Sequence, residues 1–262
     1  MNVIKLPLTL STLLVAVGLQ TAIVPSSPAR LEAQSDRPTI TQTSANSWVV
    51  SQTYVPPNRQ APSTTVGGAT RGKCVESAES LRALMPSNNL SLTTAEYPTL
   101  YWYIPRSTAK ALKFELRDAN ENTLWTKTFT IPATSGIISF TLPKSELPPL
   151  IVGKSYHWYF KMLCLDGNST DQSGNAIVDG WIERTEPSPT LVKDLEKATP
   201  SDRPALYAAA GIWQDSLTTL VELRRENPDD STLARQWEKL LKSAGLDPVV
   251  EKPLVDCCTA NR

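Results

Sequence analysis

Between residues 80 and 184, large apolar side chains recur at every second position in short runs, and each run ends at residues that favour turns. Seven strands follow, over 80–85, 99–104, 111–118, 123–131, 136–142, 156–165 and 176–184. The breaks carry turn chemistry: PSNN at 86–89, PRST at 105–108, DANEN at 118–122 and PATSG at 132–136. Alternation gives each strand an inward face. Leu112, Phe114 and Leu116 share a side, as do Trp125, Phe129 and Ile131, and then Ile138, Phe140 and Leu142. No helical period interrupts these runs. The fold class expected is mostly β, with a seven-stranded antiparallel immunoglobulin-like sandwich over 74–186.

The run LIVGKSYHWYFKMLC at 150–164 holds the only histidine of the chain, His157. Tyr156, Trp158, Phe160, Met162 and Cys164 fall on one face of its strand, and His157, Tyr159 and Lys161 on the other. The spacing of Leu150, Gly153, Tyr156 and Trp158 is that of a tyrosine corner, in which a hydroxyl ties the strand to the connection before it. Cys164 points inward by the same count. A bridge to Cys74 across the sandwich and a lone buried thiol are both open readings.

After the linker EPSPT the period becomes helical. Asp202 followed by Pro204 starts a helix with the stripe Leu206, Ala209, Trp213, Leu217 and Leu220, running to about Glu226. The turn NPDD then opens a second helix with Leu233, Trp237, Leu240, Leu241 and Ala244, stopped by Gly245. Residues 190–262 are thus expected to be a C-terminal α-helical hairpin with a Cys-Cys tail. It resembles the junction of a tetratricopeptide repeat, but one unit makes no array, so packing on the sandwich or on a partner is the expectation.

At the other end, Lys5 precedes an apolar run from Leu6 to Val17, followed by small-residue exits at Ala29 and Ala33. That pattern makes 1–33 a signal peptide; the run is shorter than the roughly 20 residues a bilayer core demands, so no stable membrane span is expected after cleavage. Export puts the mature chain in the periplasm or outside the cell. Residues 34–73 are rich in Ser, Thr, Gln, Pro and Gly and read as a disordered spacer, with YVPP at 54–57 as a patch that docks on the domain. Twenty-six basic residues balance 26 acidic ones without a run of five like charges, which excludes an electrostatic footprint for nucleic acid.

Candidate chemistry is sparse. Nothing near His157 in sequence marks a nucleophile or a carboxylate partner, so it reads as a surface or rim histidine, and no catalytic residue, cofactor or metal is assigned. The loop DGNSTDQSGN at 166–175 offers Asp166, Asn168 and Asp171, but it lacks the glycine and glutamate of an EF-hand and reads as a solvated loop. In an oxidising compartment Cys74, Cys164, Cys257 and Cys258 pair in any of three ways. Tyr101, Tyr103 and Trp181 are out of phase with the inward residues of their strands. They form a candidate binding surface for sugar rings or a partner, unless the helices cover them.

The strings PPNRQAPSTTVGGATRGKC, LMPSNNLSLTTAEYPTLYWYIP, GIISFTLP, VGKSYHWYF, GIWQDSLTTLVELRRENPDD and PLVDCC together resemble an exported cyanobacterial family, domain of unknown function nine-two-eight. The resemblance covers about 54–258. It implies no activity, cofactor or catalytic residue. It does imply that Cys257 and Cys258 belong to the family pattern, and, because members are often encoded beside sensor or secretion components, an adaptor role in the cell envelope. The function expected is a non-enzymatic exported binding or adaptor module with a protein partner. A carbohydrate-binding sandwich and an enzyme whose polar residues converge on His157 are the alternatives.

Overall fold

The computed structural model describes residues 42–43, 47–48, 52–62, 72–76, 78–164 and 174–257. The signal peptide 1–33, most of the spacer, most of the 166–175 loop and Cys258 lie outside them. Two short strands, β1 (Gln42–Thr43) and β2 (Ser47–Trp48), pair antiparallel with each other. The period-two runs build two further sheets. One has three strands, in the order β3 (Arg82–Ala83), β5 (Thr99–Ile104), β8 (Gly136–Thr141). The other has five, in the order β4 (Leu90–Thr93), β10 (Ala176–Arg184), β9 (Ser155–Leu163), β6 (Ala111–Arg117), β7 (Thr123–Thr130).

These two sheets hold eight strands rather than seven, and one pairing is parallel. β4 is the added strand: its residues follow the PSNN turn and pair with β10 in the register Leu90 opposite Trp181 through Thr93 opposite Arg184. All four of its side chains are buried, so it shows no contrast between an apolar and a wet face. Elsewhere alternation sorts side chains as expected. Leu112, Phe114 and Leu116 from β6, Trp158, Phe160 and Met162 from β9, and Leu100, Trp102 and Ile104 from β5 form one core between the sheets. Trp102 stacks on Phe160 with ring centroids 4.2 Å apart. Gly180 completes that packing, since a Cβ there would lie 2.5 Å from the Trp158 indole.

The reverse face of the three-stranded sheet carries a second core. Tyr101, Tyr103 and Ile137 pack there against Trp213, Leu217, Leu220, Trp237 and Leu240. The expected helical pair is in fact four helices: α1 (Pro189–Lys197), α2 (Arg203–Ala209), α3 (Trp213–Glu226) and α4 (Ser231–Ser243). α1 begins where the linker was expected, with the Ser188 hydroxyl accepting from the Leu191 amide. The stripe from Leu206 to Leu220 does not run through one helix. Gly211 breaks it at φ 75°, a left-handed conformation natural to glycine, and Ala209 of that stripe is exposed. α3 is fastened to the sheets by polar contacts. The Asp215 carboxylate accepts from the Thr93 hydroxyl at 2.7 Å, and the Ser91 hydroxyl donates to Gln214 at 2.9 Å. The Trp213 indole donates to the Leu84 carbonyl at 2.8 Å.

Two further features tie the layers. Cys74 and Cys164 form a disulfide across 90 residues of sequence, of the open readings the bridged one. Residues 52–62, assigned to the spacer by composition, lie along the folded body as a strap. Tyr54 is 4% exposed and meets Trp213 edge-on at 5.1 Å, and the Val55 amide donates to the Ala208 carbonyl. Arg59 pairs with Glu183 at 2.8 Å, and Ala61 packs on the cluster of Leu90, Leu92 and Trp181. No helix among the described residues is long and apolar enough to cross a membrane.

Candidate functional site

The outer face of the five-stranded sheet gathers a polar cluster that follows from strand register. Because β9 lies between β6 and β10, each of its outward residues has a neighbour on either side. Arg117, His157 and Trp181 form one cross-strand row; Glu115, Tyr159 and Asp179 form the next. Contacts between the two rows carry the bonds. The His157 Nε2 lies 2.9 Å from an Asp179 carboxylate oxygen, Arg117 lies 2.5 Å from Glu115, and the Arg117 guanidinium sits 4.5 Å above the Tyr159 ring. The imidazole stacks on the Trp181 indole at 4.3 Å and 12°.

One member arrives from outside the rows. In the turn between β6 and β7, the Asp118 carboxylate accepts from the backbone amides of Asn120 and Asn122, an Asx-type closure that fixes the tip. Glu121 then takes φ 64°, a left-handed conformation that costs a residue with a Cβ about 1–2 kcal/mol. That backbone turns its carboxylate back over the sheet. One oxygen lies 2.6 Å from His157 Nδ1, and the other accepts from the Tyr159 hydroxyl and from Arg117, both at 3.1 Å.

The cluster is electrically closed. A neutral imidazole donates through one nitrogen only, whereas both nitrogens of His157 face carboxylate oxygens, so the ring is held as imidazolium. Burial works against that charge, but the hydrogen bonds to Asp179 and Glu121 outweigh it and raise the His157 pKa. Burial likewise opposes ionisation of Glu121, and its bonds to His157 and Arg117 hold its pKa below the usual range. Burial and the bond to Glu121 push the Tyr159 hydroxyl up to about 12. Lys161, 3.8 Å from Glu115, is the third cation against the three carboxylates Glu115, Glu121 and Asp179.

Chemically this arrangement holds a proton rather than moving one. A histidine acting as general base is oriented by a carboxylate on one nitrogen and works through the other. Here the other nitrogen is taken by Asp179 and the ring has no exposed surface, while Trp181 seals one side. The carboxylates flank the ring from opposite edges, and among the described residues no group of three His, Cys, Asp or Glu side chains could hold a metal ion.

His157 is fully buried rather than at the rim, because the hairpin tip and Trp181 close over it. Polar residues do converge on it, and the two carboxylates that bond its ring, Glu121 and Asp179, are distant in sequence. Tyr101, Tyr103 and Trp181 do point away from the central core, but they are 4%, 3% and 0% exposed. The helices cover the two tyrosines, and His157, Leu90 and Leu92 cover the tryptophan. They therefore offer no face to a sugar ring. Cys74 and Cys164 are joined, and no described cysteine is a free thiol. Of the 166–175 loop, Asn175 is buried and its side-chain oxygen accepts from the Cys164 amide at 3.0 Å. Tyr159 and Lys161 share the face that alternation gave His157, whereas Glu115, Arg117, Glu121 and Asp179 are not marked as its neighbours by the sequence. Alternation on β6 and β10 is the one signal for Glu115, Arg117 and Asp179, and Glu121, in the turn, has none.

Compared with known proteins, residues 66–254 match a family model described as Domain of Unknown Function (DUF928), a span that takes in both large sheets and all four helices. No curated protein matches the chain.

Proposed function

We propose that this chain, which belongs to the Domain of Unknown Function (DUF928) family, is an exported binding or adaptor module that recognises a protein partner in the cell envelope and catalyses no reaction. The observation that carries the reading is the closure of the His157 cluster: the only histidine has both ring nitrogens committed to carboxylates and no exposed surface. Such a cluster serves to hold a surface in shape. Export is supported by the Cys74–Cys164 disulfide and by the apolar run that opens the chain. An immunoglobulin-like character is supported by the Ile151 amide donating to the Tyr156 hydroxyl at 3.1 Å, a tie of the tyrosine-corner kind. The parallel β4 is a departure from that plan.

The surface this reading uses is the sheet end beside the cluster. Arg117 lies opposite His157, so the turn after β6 and the connection before β9 share that end. Ile151 and Val152 are 52% and 42% exposed there, among the few large apolar side chains of the described residues left in water. Crosslinking in intact cells, followed by capture of the tagged chain, is expected to enrich one envelope protein. The double variant Ile151→Asp, Val152→Asp is expected to lose that protein while keeping its melting temperature. Repeated recovery of no partner, or equal recovery by the variant, overturns the assignment.

A further inference from the structure

A cleft of about 250 Å³ opens between the edge strand β3 and the turn that follows α4. Glu79, Ser80, Arg82, Tyr103 and Lys252 are among its walls. The Glu79 carboxylate is already satisfied, since the Lys252 ammonium and the Tyr103 hydroxyl both donate to it. Those bonds hold its pKa below the usual carboxylate range. Lys252 also lies 5.3 Å from the Tyr103 ring centroid, which fixes the ammonium at the cleft wall.

Arg82 stands apart from this group. It is half-buried in the same wall, yet among the described residues no carboxylate lies within ion-pair reach of its guanidinium. The Ser80 hydroxyl beside it has no hydrogen-bond partner among them either. A guanidinium presents five N–H donors in a planar fork suited to the oxygens of a carboxylate or phosphate. Two cations against one carboxylate leave the cleft net positive, and that carboxylate is already engaged by Lys252 and Tyr103.

We infer that this cleft binds a small oxyanion, seated between Arg82 and Lys252 with the Ser80 hydroxyl as a third donor. The space is several times the roughly 30 Å³ of a water molecule, enough for a phosphate, a sulfate or a terminal carboxylate group. Because Arg82 belongs to the sheet and Lys252 to the segment after α4, the bound anion joins the sandwich to its helical layer. This inference is independent of the adaptor reading and survives its failure.

Thermal melting of the full chain in phosphate, sulfate or acetate, against chloride at matched ionic strength, tests it. Phosphate and sulfate also stabilise proteins by exclusion from their surfaces, an effect that grows in proportion to salt concentration and ignores single side chains. A bound anion instead gives a rise that follows the logarithm of its concentration above the dissociation constant, about 3 °C at tenfold excess. The rise is expected in at least one of the three arms, which identifies the tetrahedral or planar source. It is expected to vanish in Arg82→Ala and to persist in Arg235→Ala on the exposed face of α4. A rise proportional to salt concentration throughout, or an equal rise in Arg82→Ala, overturns the site. Should Arg82→Ala not fold, amide shifts in the unaltered chain decide: titration with the same anions must move Ser80 and Lys252, and unmoved signals sink the proposal.

Discussion

His157 is a charge buried by its own counter-ions, so its replacement exposes what they were balancing. Removing one partner of a buried ion pair costs about 3–5 kcal/mol, and Glu121, which keeps a third of its side chain in water, brings the figure for His157→Gln toward the lower end. The pH dependence has two limbs. Folding raises the His157 pKa, so its contribution is complete below the unfolded value of about 6.5 and is lost as pH climbs through the folded value. Folding lowers the Glu121 pKa, so that contribution is complete above about 4.3 and is lost as pH falls through the folded value. The melting temperature is expected to be highest between these unfolded values, and His157→Gln is expected to flatten the alkaline limb. Melting curves from about pH 3 to 10 decide it; parallel curves for the two proteins contradict the imidazolium. The sequence shows why His157 faces away from the core, through its phase against Trp158 and Phe160. It does not show Glu121 or Asp179 as partners, because that depends on β9 lying between β6 and β10 and on a left-handed turn residue.

Among the elements, the strands were legible wherever one face is apolar and turn residues close the run. β4 was not, since it is buried on both faces and its partner β10 lies some ninety residues away in sequence. α1 carried a Ser188 cap and a Pro189 first turn, but two prolines within EPSPT resemble a linker when no partner surface is in view. The break at Gly211 was visible as a glycine and hidden as a left-handed one: a Cβ there would come within 2.9 Å of the Val55 carbonyl of the strap. The strap itself is an element without regular structure, held by Tyr54 and Arg59. Tyr54→Ala is expected to cost up to about 3 kcal/mol of docking free energy, with the sheets left intact. Limited proteolysis reads this directly. Cleavage within 55–62 is expected to speed up at least tenfold while far-ultraviolet dichroism is unchanged; an unaltered cleavage rate disproves the docking role.

Over the whole molecule the order is five-stranded sheet, three-stranded sheet, helices, with one apolar core at each junction. The sandwich and the helical layer were readable because periodicity changes near Thr185; which strands neighbour one another was not, because pairing is set by packing across the chain. The disulfide spans most of the sandwich, so reducing it frees a loop of about ninety residues in the unfolded state. A loss of about 2–5 kcal/mol is expected for Cys74→Ser, and for the unaltered chain in reductant. Calorimetry with and without reductant checks this; an unchanged midpoint would falsify the clamp.

The same disulfide also sets how the molecule answers a pull. Tension on the amino end first peels the strap, one contact at a time, from Tyr54 past Arg59 toward Cys74. At Cys74 the load leaves the backbone and crosses the sulfur bridge to Cys164, so the residues between them carry none of it. In optical tweezers the oxidised chain is expected to release a short length at low force, then to extend without the 74–164 loop. Reductant is expected to restore that missing length, about 3.3–3.6 Å for each residue freed. A chain tethered at its start would then behave as a yielding leader ahead of a covalent stop.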